Sequence, residues 1–415
     1  MTPEVIVIGA GPAGSATAWH LARAGVPTLL VDKSDFPRDK VCGDCLSPRA
    51  QHYLQCMGLL NAVAAEAHHA PSIRFQAPGG ARAETAITGA AEMPNRTLVI
   101  PRQRFDHMLQ RHAIAAGAQF QVAHIRNLGR SGAPAATAAT AATAPRTTLG
   151  LSIQNRFIPA RAVVIATGAA IGLLKQTALA PTGPVHSTAA RCYVDGIGNL
   201  GPELEFLFDH LPLPGYAWLF PTGRDSANVG FWYSGQQPLS AAVRLPELLH
   251  AHPTLRQRLD QAKGPRSMAG FPIRTDFLRA PKIGAGLLCV GEAAGLVNPF
   301  TGEGIDYALE SAELAATAII RALRNGGGVI SETALKAYPR ALNRRFGQLF
   351  LLMELSRRYG FNPWVFDRLF GRGERGQRLV DRLIRVCFGA APPLTMLDPL
   401  ALGALLLSRP SAMHR

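Results

Sequence analysis

Residues 5–14 read VIVIGAGPAG, and residues 29–33 read LLVDK. A β-branched apolar run ends in Gly9-x-Gly11-x-x-Gly14, a helical stretch follows, and a second apolar strand stops at Asp32. The spacing predicts a strand, a tight turn, a helix and a second strand with an acid at its tip. Each part has a dinucleotide task. Gly9 permits the tight turn, Gly11 lets the backbone approach a pyrophosphate, and Gly14 lets helix and strand pack closely. The helix N-terminus offers unpaired N–H groups to phosphate, and Asp32 accepts hydrogen bonds from a ribose diol. Ala13 in the turn and Lys33 beside Asp32 join them as candidate cofactor-binding residues. A glycine-rich turn that binds nothing is the plain alternative; the flanking strand, the helix and the placement of Asp32 weigh against it.

The chain has 415 residues, 47% hydrophobic and 17% charged, with a formal net charge of +15. That length supports two or three domains with cores of their own. The positive charge is almost all arginine, since the lysines are Lys33, Lys40, Lys175, Lys263, Lys282 and Lys336 alone. Such a balance suits nucleic acid, acidic lipid or an anionic substrate. The sequence carries no nucleic-acid module, so no nucleic-acid partner is expected. Much of the excess lies from Arg344 to Arg385 among apolar and aromatic residues. It reads as a solvated helical face or as a patch for peripheral membrane contact. The apolar run from Leu400 to Leu407 is far shorter than the roughly 20 residues of a membrane span. The N-terminal apolar stretch lacks a basic flank and is the first strand of the fold, so neither signal peptide nor anchor is expected. Six cysteines in a chain this long make no disulfide framework. A cytoplasmic location is expected, with any peripheral contact at the inner membrane face, and no metal site.

Residues 13–24 form a helix that is small on one face and ends at Gly25, in C-cap position. Residues 49–66 look helical, 72–100 suggest short strands, and 103–116 form an amphipathic helix. The stretch 131–148, SGAPAATAATAATAPRTT, is low-complexity and reads as a hairpin tip without an assigned function. VVIATG at 163–168 is a buried strand running into a turn at Gly168. Residues 190–235 hold several strand-like pieces, a candidate antiparallel sheet, and 240–262 are helical. A long helix is expected from about Glu303 to Asn325, and 331–415 is mostly helical and rich in Arg and Phe.

The second informative stretch is GEAAGLVNPFTGEGIDYALESA at 291–312. The strand at 287–290 delivers Glu292 at its C-terminal edge, and Gly302-Glu303-Gly304 opens a helix. An acid there can bind ribityl hydroxyls. The helix N-terminus at Gly304 points partial positive charge at a flavin ring or pyrophosphate. A glycine loop needed only for packing is the alternative.

At these residues the chain resembles the large family of FAD-dependent monooxygenases and reductases whose best-known fold is that of the aromatic hydroxylases. Within it, four signatures resemble the geranylgeranyl reductase family. FPRDKVCGDCLSPRA at 36–50 is similar to that family's P-x-x-K-x-C-G-G-G-x-S-P-R. PRQRFDHML at 101–109 is similar to R-x-x-F-D-x-x-L, and PGYAWLFP at 214–221 to Y-x-W-x-F-P. The fourth is NPFTGEGIDYALESA. The resemblance runs from residue 5 to about 312; beyond it only the helical, Arg-rich character fits. Three departures stand out: Glu292 replaces the usual Asp, Ala166-Thr167-Gly168-Ala169 replaces A-D-G-A, and Cys42-Gly43-Asp44-Cys45 replaces C-G-G-G. The last bears on the substrate more than on FAD.

The resemblance implies FAD as cofactor and an α/β fold, α+β overall. A Rossmann-like FAD-binding domain of the aromatic-hydroxylase and glutathione-reductase type is expected over 1–75, 100–178 and 275–330. An antiparallel-sheet substrate domain would take 76–99 and 179–274, and a helical C-terminal region 331–415. Arg102 is expected near the FAD pyrophosphate or adenine side, with a plain surface arginine as the alternative. Cys42 is expected near the flavin ring, as a proton donor or as a shaper of the cavity, with a buried small residue as the alternative. Tyr216 and Trp218 alternate on a strand and share a face. They would wall an apolar substrate cavity, with Tyr216 as a hydrogen-bond donor, or form a plain core stripe. Cys42-x-x-Cys45 also reads as a redox pair, but no second dinucleotide unit is visible for it; the role of Cys45 stays open.

Reduced flavin can deliver hydride to a carbon–carbon double bond, or react with oxygen to hydroxylate, epoxidise or support halogenation. The site decides between these, not the fold. Flavin halogenases carry a W-x-W-x-I-P strand like Tyr216-x-Trp218-x-Phe220-Pro221, yet need a lysine after the flavin loop, and none lies between Lys40 and Lys175. The expected activity is reduction of double bonds in an apolar isoprenoid or polyene-like lipid. The alternative is an FAD-dependent monooxygenase acting on a hydrophobic or aromatic metabolite. NAD(P)H docking transiently, or an electron-donor protein, would reduce the flavin.

Overall fold

The computed structural model describes residues 2–131, 148–181, 183, 187–235, 239–370 and 373–397. The low-complexity stretch expected as a hairpin tip, and the run 400–407, lie outside the described residues apart from Ser131 and Thr148 at the stretch's two ends, which pair.

The Val5–Ile8, Thr28–Asp32 and Ala162–Ile165 strands are buried along their whole length. Strands apolar on both faces belong at the centre of a covered parallel sheet. They form one here, in the order Ile283–Gly284, Leu287–Cys289, Ala162–Ile165, Val5–Ile8, Thr28–Asp32, Gln119–Val122. Every pairing in it is parallel except the short hairpin at one edge. The helix Pro12–Arg23 lies on this sheet against the long helix Ile305–Leu323. Small residues on both helices (Ala16, Ala18, Ala308, Ala312, Ala315) allow the approach.

The close contact at the first turn is set by two glycines. Gly9 has φ +102°, and a Cβ on it would stand 2.3 Å from the Ala166 carbonyl oxygen. A Cβ on Gly14 would stand 1.7 Å from the Gly9 carbonyl oxygen. Neither position has room for any side chain.

The second large sheet has seven strands, in the order Arg266–Ile273, Ser187–Asp195, Ser226–Tyr233, Gly215–Pro221, Leu204–Leu207, Ser72–Gln76, Arg82–Ala86. It is antiparallel except where Leu204–Leu207 runs parallel to Ser72–Gln76. A parallel neighbour requires a long crossover, and these two strands are separated by most of the first domain's chain. The strand Ser72–Gln76 therefore sits in the second sheet, four residues ahead of the boundary expected at 76. Alternation sorts the residues of Gly215–Pro221. Tyr216, Trp218 and Phe220 belong to one apolar cluster and Ala217 and Leu219 to another on the opposite face.

The helical stretch expected at 240–262 is two helices, Ala241–Ala251 and Pro253–Leu259, interrupted at His252 because Pro253 cannot continue the first. The C-terminal region is helical at Ala337–Gly360, Pro363–Phe370 and Gly373–Cys387. Its Phe366, Phe370, Val380, Ile384 and Phe388 pack into the same cluster as Tyr216 and Trp218. No helix among the described residues is long and apolar enough to cross a membrane.

One substitution type should act with opposite signs at two glycines. Gly14→Ala forces a backbone collision and should cost about 3 kcal/mol or more of unfolding free energy. Gly347→Ala, inside the helix Ala337–Gly360 with nothing within 4 Å of the new Cβ, should gain about 0.5–1 kcal/mol. Denaturant titration of both variants checks the pair.

Candidate functional site

A cavity of about 930 Å³ lies where the parallel sheet, the aromatic face of the seven-stranded sheet and the C-terminal helices meet. Its volume is at the upper end of the range for ligand pockets, about 300–1,000 Å³. Of the residues singled out from the sequence, Gly9, Gly11, Ala13, Asp32, Lys33, Cys42, Arg102, Gly168, Tyr216, Trp218, Glu292, Gly302 and Gly304 all line it. Gly14 does not, which fits its task of letting helix and strand pack.

At one end, Asp32 accepts hydrogen bonds from the backbone N–H of Ala10 (2.7 Å) and of Ser34 (3.0 Å). This ties the acid-tipped strand to the glycine turn. Arg102 donates to both oxygens of Asp106, at 2.6 and 2.7 Å, and Arg38 donates to the same carboxylate at 2.9 Å. Both guanidinium groups stand over Gly11: a Cβ there would meet Arg38 Nη2 at 3.6 Å and Arg102 Nη2 at 3.9 Å. Those are ordinary contacts. Unlike Gly9 and Gly14, Gly11 is not required by the chain's own packing, so its bare backbone serves whatever approaches from the cavity. Arg38 and Asp106 lie inside the motifs FPRDK and RFDHML, but Arg38 reaches Asp106 only in the folded chain, 68 residues away in sequence.

At the other end, Glu292 accepts the backbone N–H of Arg274 at 3.1 Å. Gly168, with φ +63°, faces it: a Cβ there would lie 3.1 Å from Glu292 Oε2. Gly302 has φ +71° and sits below Tyr216 and Trp232. The Tyr216 hydroxyl donates to the Thr301 carbonyl at 2.5 Å. In this arrangement its proton is committed to the glycine loop. The Trp218 indole N–H is also committed, to Asn228 Oδ1 at 2.9 Å. Both rings serve as wall.

The Cys42 loop is fastened to the sheet by a buried polar network. Asn228 Nδ2 donates to the Cys42 carbonyl (2.7 Å) and to Asp44 Oδ2 (2.8 Å), and the Tyr193 hydroxyl donates to the same Asp44 oxygen (2.6 Å). Asp44 stands where the family pattern has glycine and adopts a glycine-like φ of +65°. Burial pushes its carboxyl up to about 6, against the pull of Tyr193, Asn228, Arg191 and Arg102. Burial also raises the thiols of Cys42 and Cys45, so both are neutral S–H groups. Thiolate is the reactive form of cysteine, and this environment disfavours it, which weighs against a thiol-exchange pair. Lys40, unassigned from the sequence, lines the cavity with its ammonium lowered by burial despite Glu292.

Whether these residues suit FAD is testable on the chain itself. The helices starting after Gly11 and Gly304 have no N-cap side chain, although Asp306 takes the Tyr307 N–H of the second, and both glycines face the same cavity. Trp232 Nε1 is buried without a partner and lies 3.4 Å from the Cβ position of Gly302. Unpaired buried donors are costly, and a ligand rich in acceptors at both ends answers all three. The residues fit.

A family model described as FAD binding domain matches residues 2–137. The fold and the cavity are those of an FAD-dependent oxidoreductase. The menaquinone reductase of Mycobacterium tuberculosis is 30% identical over 324 residues, 75% of this chain and 75% of that protein. Digeranylgeranylglycerophospholipid reductase 1 of Methanopyrus kandleri is 28% identical over 372 residues, 84% of this chain and 88% of that protein. A solved geranylgeranyl bacteriochlorophyll reductase-like protein of Thermoplasma acidophilum shares the fold with a TM-score of 0.78 at 20% identity, over 97% of this chain and 98% of that one. The chain belongs to the geranylgeranyl reductase family of FAD-dependent oxidoreductases.

Asn228→Ala should strip partners from the Trp218 N–H, Asp44 and the Cys42 carbonyl together. The expected outcome is a loss of about 1–3 kcal/mol of unfolding free energy and faster alkylation of Cys42 in the flavin-free protein. Denaturant titration and mass-spectrometric labelling read the two effects.

Proposed function

We propose that this chain reduces carbon–carbon double bonds of an apolar isoprenoid or polyene-like lipid. The observation that carries this reading is the aromatic chamber continuous with the FAD cradle: Phe75, Phe206, Phe208, Trp232, Phe361 and Phe366 line the same cavity as Gly11 and Gly302. An apolar chain entering it leaves water, at about 0.8 kcal/mol per buried CH₂. The relatives are named as reductases of molecules that carry prenyl chains.

FAD, when bound, would supply hydride to the substrate carbon. The chain's residues hold and orient. Gly9, Gly11 and Ala13 take the pyrophosphate turn, with Arg38 and Arg102 neutralising phosphate charge. Asp32 and Lys33 take the adenosine end. Gly168, Glu292, Gly302 and Gly304 take the ribityl and ring end, where the helix N-terminus favours negative charge on the ring. Tyr216, Trp218 and Cys42 shape the chamber, with Cys42 as a neutral thiol on its wall. Electrons come from NAD(P)H docking at the cavity mouth or from a reductase protein.

Lipid access is from the outer side of the C-terminal helices. Leu351, Leu355 and Tyr359 follow at four-residue spacing and are exposed, as is Trp364. Arg358 lies over the Tyr359 ring and Arg368 over the Trp364 ring. Phe361, Phe366 and Phe370 of the same stretch line the cavity. Aromatic and aliphatic side chains rimmed by arginine match the surface of an anionic bilayer.

The deciding experiment is anaerobic. Flavin reduced by dithionite, then mixed with a polyprenyl lipid, should be reoxidised with loss of a double bond. Reoxidation only on admission of air, with an oxygenated product, would overturn the reading in favour of monooxygenation. Separately, the protein should cosediment with phosphatidylglycerol vesicles, and Leu355→Glu with Tyr359→Glu should lower the bound fraction about tenfold or more.

A further inference from the structure

Glu303 lies between Gly302 and Gly304 and lines the cavity at the junction of cradle and aromatic chamber. Nothing above uses its carboxyl. Facing it are Cys45, Ser47 and Arg49 from the segment after the Cys42 loop, Tyr216 from the aromatic strand, and Cys387 from the C-terminal helix Gly373–Cys387. Asp306 and Tyr307 face it from its own helix. The one cation in this group is already engaged. Arg49 Nε donates to Asp306 Oδ2 at 2.8 Å, and its guanidinium lies 4.2 Å from the centre of the Tyr307 ring. Among the described residues Glu303 has no ion-pair partner; the Ser47 hydroxyl is its hydrogen-bond partner.

Two neighbouring acids, Asp306 fully buried and Glu303 half-buried at the cavity wall, thus have one arginine near them, and it is bonded to Asp306. Burial raises both carboxyls. Arg49 lies on Asp306, so the negative charge settles there and Glu303 keeps its proton, its carboxyl held well above the usual carboxylate range by desolvation and by the Asp306 charge. Several other proton-bearing groups on the cavity wall are less available. Asp32 and Glu292 accept backbone N–H groups, Tyr216 donates to Thr301, and the Cys42 and Cys45 thiols would leave as thiolates in surroundings that disfavour them.

We propose that Glu303 is the catalytic proton donor of the reduction, with Arg49 and Asp306 as the positioning pair that keeps it loaded. This rests on the double-bond reading above. The Glu303 O–H bond breaks and its proton forms a C–H bond on one alkene carbon. The other carbon takes hydride from reduced flavin, the double bond becomes single, and the flavin is left oxidised. The Glu303 carboxylate is reprotonated from water between turnovers.

The test uses the holoprotein, wild type and Glu303→Gln and Glu303→Asp, with two readouts. Infrared titration without substrate should show a protonated-carboxyl band disappearing with a midpoint well above the usual carboxylate range, absent from Glu303→Gln. Anaerobic single-turnover oxidation of the dithionite-reduced flavin by a polyprenyl lipid should slow in the wild type as pH rises through that midpoint. In Glu303→Gln it should be about 10²-fold slower or more and lose the pH dependence, while FAD affinity holds and Glu303→Asp recovers part of the rate. A wild-type rate in Glu303→Gln, or a Glu303 carboxyl already ionised at mildly acid pH, overturns this proposal alone. A wild-type protein that no polyprenyl lipid reoxidises without air removes the reading beneath it, and the proposal with it.

Discussion

The structure depends on one place where backbone touches backbone. The turn at Gly9 stands against the Ala166 carbonyl, and the helix at Gly14 stands against the Gly9 carbonyl, each too close for a methyl group. That contact ties the first strand, the opening helix and the Ala162–Ile165 strand into one rigid corner. It also aims the free N–H groups of the helix at the cavity. Close-packed interiors transmit such constraints. Moving the helix away to fit a side chain would displace the anion-binding end and the Asp32 tip with it, since Asp32 is bonded to Ala10 of the same turn.

A second constraint aligns the two sheets. Asn228 and Tyr193, on neighbouring strands of the seven-stranded sheet, reach Asp44 and the Cys42 carbonyl in the loop after the first βαβ unit. These groups are buried, so each bond lost would leave a polar atom facing apolar surroundings. The network fixes the Cys42 loop over the aromatic strand with little tolerance, and so fixes the gap between cradle and chamber. At Asp44 a carboxylate occupies a left-handed backbone position that suits glycine, and its oxygens accept from three donors, Tyr193, Asn228 and the Arg102 N–H.

The chamber is stabilised differently. Its roof comes from the far end of the chain: Phe366 stacks on Phe208 with ring centres 4.4 Å apart, and Phe370 on Phe75 at 5.4 Å. These contacts are apolar and weakly directional. A wall of that kind can adjust to a long flexible chain while the polar network beneath it stays fixed. The division of labour matches a rigid cofactor and a pliant substrate.

The cofactor cradle was legible in the chain because it is local. Gly9, Gly14 and Asp32 lie within one βαβ unit, and Glu292, Gly302 and Gly304 within one strand–loop–helix, so spacing alone carries their placement. The sharing of one face by Tyr216 and Trp218 was legible for the same reason, from the two-residue period of a strand. The parallel pairing of Ser72–Gln76 with Leu204–Leu207 was not, because it joins segments far apart in sequence. Nor was the commitment of the Tyr216 hydroxyl to Thr301, or of Arg49 to Asp306, which leaves Glu303 without an ion pair. Local sequence determined which backbone conformations form and which ligand they receive. Only the tertiary structure decided which polar groups are spent on each other and which stay free for chemistry, because hydrogen bonding and charge in a desolvated site depend on neighbours that the chain brings together only when folded.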